Sequence, residues 1–420
     1  MKYSKPIVLG MSLLLLLSGC SNAVEDKEAT TETTVAITSE TVTSETVTSE
    51  AGSESSSEAT TDQTSTEEGT TVAQESTTEN KHVIVRSEST IKNDSKTNSI
   101  ITSQESYQLG TYITLSIYAD QEVPNNVFDD LFNLIDKYEY MVSKNITDTE
   151  LDRVNKNAGI APVKVSNDFI EMVNLGLKYA KASEGRFDIS VGPIVDLWGI
   201  GSDMARLPGD SEIQALMKYI DYSKIVVDKA ASTIYLPEKG MEIDLGAIAK
   251  GYIADRLKDK IQAEGYDSAI INLGGNVLTV GRKPNSDNWN IGVRNPESDA
   301  GSTMGILKLV DNSIVSSGVY ERFFVQDNVR YHHIINALTG YPEQNDMLSV
   351  SIVSDRSVDG DALSTTTFLL GLEKGYKYIE SLDGIGAVFI MKDHSVYVTS
   401  NLADKFTLTN KEYTIKTLQP

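Results

Sequence analysis

"MLSVSIVSDRSVDGDALSTTTFLLGLEKG" (residues 347–375) divides into two kinds of chain. Residues 347–354 are apolar and β-branched, as a strand requires, whereas 361–375 read as a helix. The stretch therefore predicts a strand followed by a helix. On that helix Asp361 and Thr365 stand at i and i+4, so a carboxylate and a hydroxyl share one face. Two hard oxygens at a helix start suit Mg2+, which takes oxygen ligands and keeps some of its waters. The same residues admit a plainer reading, in which Asp359 or Asp361 simply caps the helix.

Working outward, "YQLGTYITLSIYA" (107–119) is strand-like. "NVFDDLFNLIDKYEYMV" (126–142) places Phe128, Leu131, Ile135 and Tyr138 at helical spacing. "SNDFIEMVNLGLKYAKASEG" (166–185) predicts a helix with Ser166 as N-cap and Gly185 just past its end. "SAIINLGGNVLTVG" (268–281) reads as a strand interrupted by a glycine pair. Strands and helices alternate without a strict βαβ rhythm, and the strand neighbours look antiparallel, which predicts an α+β fold. No G-x-G-x-x-G follows a strand and no G-x-x-x-x-G-K-[ST] occurs, so dinucleotide-fold and P-loop readings lose their main support.

The 420 residues are not uniform. Residues 1–19 carry Lys2 and Lys5, an apolar run from Ile7 to Leu17, and small residues, the pattern of a secretory signal. Leu17-Ser18-Gly19-Cys20 resembles the lipobox of bacterial lipoproteins, which implies acylation of Cys20, a membrane anchor and an extracytoplasmic location. Cys20 is the single cysteine, which excludes disulfides and Cys-ligated zinc. Residues 20–104 are expected to form a disordered tether, rich in Ser, Thr and Glu up to about residue 80 and including the five-residue repeat "TSETVTSETVTSE" (38–50). Residues 21–80 hold 14 acidic side chains and one lysine, so more than half of the net −23 sits there. The remaining body, expected over 105–415, is also acidic, which disfavours a nucleic-acid partner.

Three further segments could do chemistry. In "IDLGAIAKGYIADRL" (243–257), Asp244 and the Gly246 turn could present backbone groups to a phosphate at a helix start, with Lys250 facing the anion. A capped helix with a solvated lysine would use the same residues. In "NLGGN" (272–276), Gly274 and Gly275 would let a backbone approach a ligand, although a bulge also uses such a pair. In "YHHIINALTGYP" (331–342), His332 and His333 would point to opposite faces of a strand. They are therefore not expected to share a metal, and Mg2+ does not select imidazole.

The order of "LGTYITL", "TELDRVN" (149–155), "GRFDISVGPIVDLWGIG" (185–201), "IDLGAIAKGY", "NLGGN", "SSGVYER" (316–322), "HHIINALTGYP" and "DALSTTTFLLG" resembles the ApbE-type family of FAD:protein FMN transferases. The resemblance spans 105–400. It implies an α+β fold of that family's own type, Mg2+, and FAD as the substrate from which FMN passes to a threonine of an acceptor protein, releasing AMP. It also implies that Asp361 and Thr365, with the carbonyl of Ala247, hold the metal, and that His333 and Asp361 are catalytic. Leu109, Gly110, Thr111, Asp188, Asp244, Lys250, Gly274, Gly275 and His333 would contact FAD. The chain departs from the family at Asn336 and Ala337, where Asp-Pro is usual. If that Asp orients the histidine or the metal waters, rate or metal affinity would change. The same site would suit a Mg2+-dependent FAD pyrophosphatase, and a surface lipoprotein that merely retains FAD is the alternative from another class. Asp361, Thr365 and His333 together favour an enzyme, since retention needs no base.

Overall fold

The computed structural model describes residues 86–418 apart from 145, 299 and 300. The leader, Cys20 and the tether up to residue 85 lie outside the described residues. The folded body starts earlier than 105: Thr90–Asp94 and Ser99–Gln108 form an antiparallel pair. Ile100, Ile101 and Thr102 supply the β-branched side chains that make this hairpin. The polar composition of the preceding tether hides it.

The main sheet has ten strands, and its central order runs Thr111–Ala119, Ala269–Leu273, Asn276–Val280, Ser313–Gly318, Met347–Ser354, Gly386–Met391. Each of these neighbours is antiparallel. Every residue of Met347–Ser354 and of Gly386–Met391 is buried, so the middle of the sheet is covered on both faces. Helices Asn125–Val142, Ala249–Ala263 and Ser357–Glu380 pack in that order against it. Phe128, Leu131, Ile135 and Tyr138 are all buried, as their spacing requires. Ser166 caps Asn167–Ala182 by accepting from the Phe169 amide at 3.2 Å, and Gly185 follows in the left-handed region at φ 82°.

Two expected single strands are instead hairpins. Gln108 pairs with Thr111, and Leu273 pairs with Asn276, so each connection is a two-residue turn. Both turns have two positive φ angles: 56° and 67° at Leu109 and Gly110, 62° and 94° at Gly274 and Gly275. Such turns match the twist of the strands they join. A smaller apolar cluster surrounds Trp198, whose Nε1 donates to the Gly340 carbonyl at 2.8 Å. Phe324 and Tyr331 stack on one another and against Trp198. That packing anchors the ribbon Phe323–Gln326 and Val329–His332, which leaves the body after Arg322 and returns at His333.

Candidate active site

The two hairpin turns lie beside each other, because Thr111–Ala119 and Ala269–Leu273 are neighbours with Ile113 opposite Leu273. A methyl group on Gly274 would fall 2.0 Å from Thr111 Oγ1, so the second turn closes directly over the first. Leu109, Gly110, Thr111, Gly274 and Gly275 therefore gather at one end of the sheet. A methyl on Gly110 would lie 3.8 Å from Nη2 of Arg322, so a guanidinium reaches this corner.

The helix that carries Asp361 and Thr365 begins at Ser357, earlier than expected, which sets Asp361 one turn inside it. Asp359 does not cap it; its carboxylate accepts from the Tyr179 hydroxyl and faces Lys178. Asp361 does cap a helix, but a different one: Oδ2 accepts from the Gly251 amide at 2.9 Å, in the first turn of Ala249–Ala263. Its residue exposure is 5 %. Burial raises its pKa, against the opposing pull of Lys250 and the Gly251 amide. Ser317 Oγ lies 2.8 Å from Ser364 Oγ and 3.4 Å from Thr365 Oγ1, which ties this helix face to the end of Ser313–Gly318.

His332 and His333 behave differently. His332 is buried; its Nε2 faces the Glu343 carbonyl at 2.8 Å and its Nδ1 accepts from the Ile334 amide at 3.3 Å. That pair of contacts fixes a neutral tautomer with the proton on Nε2. Burial pushes its pKa down to about 4. His333 stands just past the strand end, with its side chain about one third exposed. Its Nδ1 sits 3.4 Å from the Arg322 carbonyl, an acceptor, which places the proton on Nδ1 and leaves the Nε2 lone pair free. Glu321 Oε2 is 3.9 Å from that Nε2. Burial, followed by the charges of Arg322 and Lys250 among its neighbours, lowers the His333 pKa to about 3. Burial raises that of Glu321, which feels Lys250, Arg322, Arg294 and Asp361. Lys250, Glu321, Arg322, His333 and Asp361 thus form one electrostatic cluster.

Glu321 and Arg322 were missed as individual residues, although the segment containing them was singled out. Lys144 carried no sequence signal. It lies 2.6 Å from Asp196, 3.7 Å from Asp244 and 3.9 Å from Glu242. Burial opposes its charge, but the three carboxylates hold its pKa above the usual lysine value. Burial and Asp196 push Glu242 up to about 7. Asp244 Oδ1 accepts from the Gly246 amide at 2.8 Å, so this carboxylate shapes the turn that presents Ala247. Asp188 is held by its neighbours. Its Oδ1 takes the Ser190 amide and hydroxyl, each at 2.7 Å, and its Oδ2 takes the Tyr222 amide at 2.8 Å. Buried at 6 % exposure with both oxygens occupied, it organises a loop.

The departure at Asn336 and Ala337 has a local explanation. Asn336 Nδ2 donates to Glu343 Oε2 at 2.7 Å, and its Oδ1 accepts from the Leu338 amide at 3.0 Å. The Ala337 amide, which proline would lack, donates to the Arg186 carbonyl at 2.9 Å. Neither of these two hydrogen bonds of the Asn336 side chain reaches His333. Asn336→Asp would set two carboxylates against each other, raising their folded-state pKa values. Folded protein would then hold protons that the unfolded chain releases, so stability falls as pH rises. Melting curves should show a larger deficit against wild type at pH 8 than at pH 5. An equal deficit at both would remove the pairing argument.

Among the described residues, no group of three or more His, Cys, Asp or Glu side chains converges as a metal site. The donor set at Asp361 is of another kind: one buried carboxylate with Oδ1 outside the Gly251 contact, and the Thr365 hydroxyl one turn along the same helix. Hard oxygens with a single formal charge fit Mg2+ completed by ligand phosphate and water. Arg322 adds a cation beside the turn at Gly110, and Lys250 adds a second that faces Asp361 and His333. What this corner favours is an anion bearing phosphate, and the class is an α+β protein built to handle one.

Comparison with known proteins specifies the class. The chain belongs to the ApbE family, whose model matches residues 109–389. It is 34 % identical over 307 residues to an FAD:protein FMN transferase of Klebsiella pneumoniae, covering 73 % of this chain and 94 % of that one. It is 33 % identical over 323 residues to an FAD:protein FMN transferase of Treponema pallidum, covering 73 % and 89 %. Among solved structures, the ApbE protein of Thermotoga maritima superposes with a TM-score of 0.67 at 26 % identity, covering 72 % of this chain and 97 % of that chain. The flavin transferase ApbE of Vibrio cholerae gives 0.66 at 25 %, covering 73 % and 99 %.

Proposed function

We propose that this chain is an FAD:protein FMN transferase that moves FMN from FAD to a threonine hydroxyl of an acceptor protein. The observation that carries this reading is one charged cluster, in which Lys250 faces both buried Asp361 and His333, and Arg322 faces His333, whose Nδ1 rather than Nε2 is directed at the Arg322 carbonyl. Asp361, Thr365 and the Ala247 carbonyl would hold Mg2+, which when bound would neutralise diphosphate charge in the transition state. Lys250 and Arg322 would bind the diphosphate from the other side, and the two hairpin turns would receive the rest of FAD along their main chain. His333 Nε2 would take the threonine proton as Oγ bonds to the FMN phosphorus. The bond from that phosphorus to the bridging oxygen breaks, and AMP leaves with the electron pair.

A pKa near 3 keeps His333 unprotonated at neutral pH. It also makes the ring a weak base. Diphosphate bound nearby would offset the charges of Arg322 and Lys250 and raise its basicity when it is needed. We further propose that Cys20 anchors the protein by lipid to the extracytoplasmic face of a membrane, with the residues after it acting as a spacer. No helix among the described residues is long and apolar enough to cross a membrane. The functional reading is tested by incubating the protein with FAD, Mg2+ and candidate surface proteins. Flavin fluorescence that stays on an acceptor band after denaturing electrophoresis is the expected result. Its absence across acceptors, with FAD still bound, would leave a retention protein instead.

A further inference from the structure

The helices Ala249–Ala263 and Ser357–Glu380 both lack a side-chain cap of their own, since Ile248 and Arg356 occupy the N-cap positions without such a bond. Each is capped by an aspartate from the other. Asp361 accepts from the Gly251 amide at 2.9 Å. Asp255, only 7 % exposed, accepts from the Ser357 amide at 2.7 Å through Oδ1 and from the Val358 amide at 3.1 Å through Oδ2. Those two amides are the first of Ser357–Glu380 and have no partner within the helix. Arg356 Nε lies 3.9 Å from the same carboxylate. A methyl on Gly251 would fall 2.4 Å from the Ser357 carbonyl oxygen and 2.6 Å from Val358 Cα, so the helices touch backbone to backbone here.

The exchange has a geometric consequence. One helix carries Lys250 and follows directly on Ala247, and the other carries Asp361 and Thr365. Asp361 would be shared between the cap and the candidate cation site, and the start of the second helix is held besides by Ser357 Oγ, which meets Ser313 Oγ at 2.9 Å and Asn276 Oδ1 at 2.7 Å. Asp255 supplies two more bonds, one turn further along the first helix, and these set where the second helix starts. We propose that Asp255 is a positioning residue for the transfer reaction, fixing Asp361 and Thr365 against Ala247 and Lys250. This rests on the reading that the site binds Mg2+ and FAD.

The test is to compare full-length wild type, Asp255→Asn and Ile261→Val. Asp255→Asn keeps the shape but loses one acceptor and the charge. Ile261→Val removes one buried methylene from the same helix, far from the exchange, and lowers stability only. Two quantities are read: binding of Mn2+, as a paramagnetic substitute for Mg2+, to the FAD-loaded protein, and the Mg2+ concentration for half-maximal transfer. Asp255→Asn is expected to weaken both by about 10–100-fold, the range found when support of a metal ligand is removed. Ile261→Val should leave both unchanged at a comparable loss of melting temperature. Metal binding unchanged in Asp255→Asn, or weakened equally in both variants, would overturn the proposal. Should Asp255→Asn not fold, Asp255→Glu, with both acceptors on an arm one methylene longer, is held to the same two criteria. A wild type that neither binds Mn2+ nor needs Mg2+ would overturn the underlying metal reading itself.

Discussion

Asp361→Asn should lower FMN transfer by about 10²–10³-fold at ordinary Mg2+ while costing little stability. The asparagine carbonyl can still accept from the Gly251 amide, so the helix cap persists. What is lost is the one formal negative charge in the proposed donor set, leaving the cation to neutral oxygens and phosphate. Asp361→Ala removes cap and charge together, and should add about 1 kcal/mol of destabilisation to the same kinetic loss. Thr365→Val should weaken transfer less, because it removes a neutral ligand. Steady-state kinetics across a Mg2+ series, paired with melting curves, separate these effects. A wild-type rate in Asp361→Asn would reduce Asp361 to a structural cap.

The second large effect falls on the histidine pair, and it should be asymmetric in kind. His333→Ala is expected to lose about 10²–10⁴-fold in transfer and to keep FAD affinity close to wild type, since a base acts in the transition state rather than in binding. His332→Ala should instead lose stability. It strips a hydrogen bond from the Glu343 carbonyl and opens a void against Phe368, whose ring centroid is 5.5 Å from the imidazole. The pH dependence gives an independent sign. The folded-state pKa of His332, about 4, lies below the ordinary 6.5, so the unfolded chain binds more protons between those values. Stability contributed by the neutral ring is therefore present above pH 6.5 and lost as pH falls towards 4. Substitution of His332 should flatten that part of the stability profile. Equal and severe losses of transfer in two well-folded alanine variants would defeat the assignment.

Much of this was legible in the sequence, for reasons that can be named. Periodicity located Asn125–Val142 and Asn167–Ala182 because their apolar faces are continuous and Ser166 is a strong cap. The i and i+4 spacing placed Asp361 and Thr365 on one helix face, since that depends only on helical pitch. The hairpins were harder. A turn with two positive φ angles needs no proline or extra polar residue, and Leu109 in the left-handed region gives no local sign of it. The strand pair before residue 105 was obscured by the composition of its neighbour. What could not be read was anything created by approach of distant segments. Lys144 meets Asp196, Glu242 and Asp244 only in the fold, and Asp188 turns inward only because Ser190 and Tyr222 surround it. The helix that Asp361 caps is not its own, and that cap uses Oδ2, so the proposed metal role and the cap are compatible.

The proposed step passes the FMN phosphorus to a threonine, not to water. It is tested most directly by measuring AMP and protein-bound FMN in one reaction of wild-type protein, FAD, Mg2+ and acceptor, with the modified peptide sequenced by mass spectrometry. One AMP is expected for each FMN bound, with the flavin on a threonine. AMP matched by free FMN, with no flavin on protein, would contradict it and make the site a pyrophosphatase.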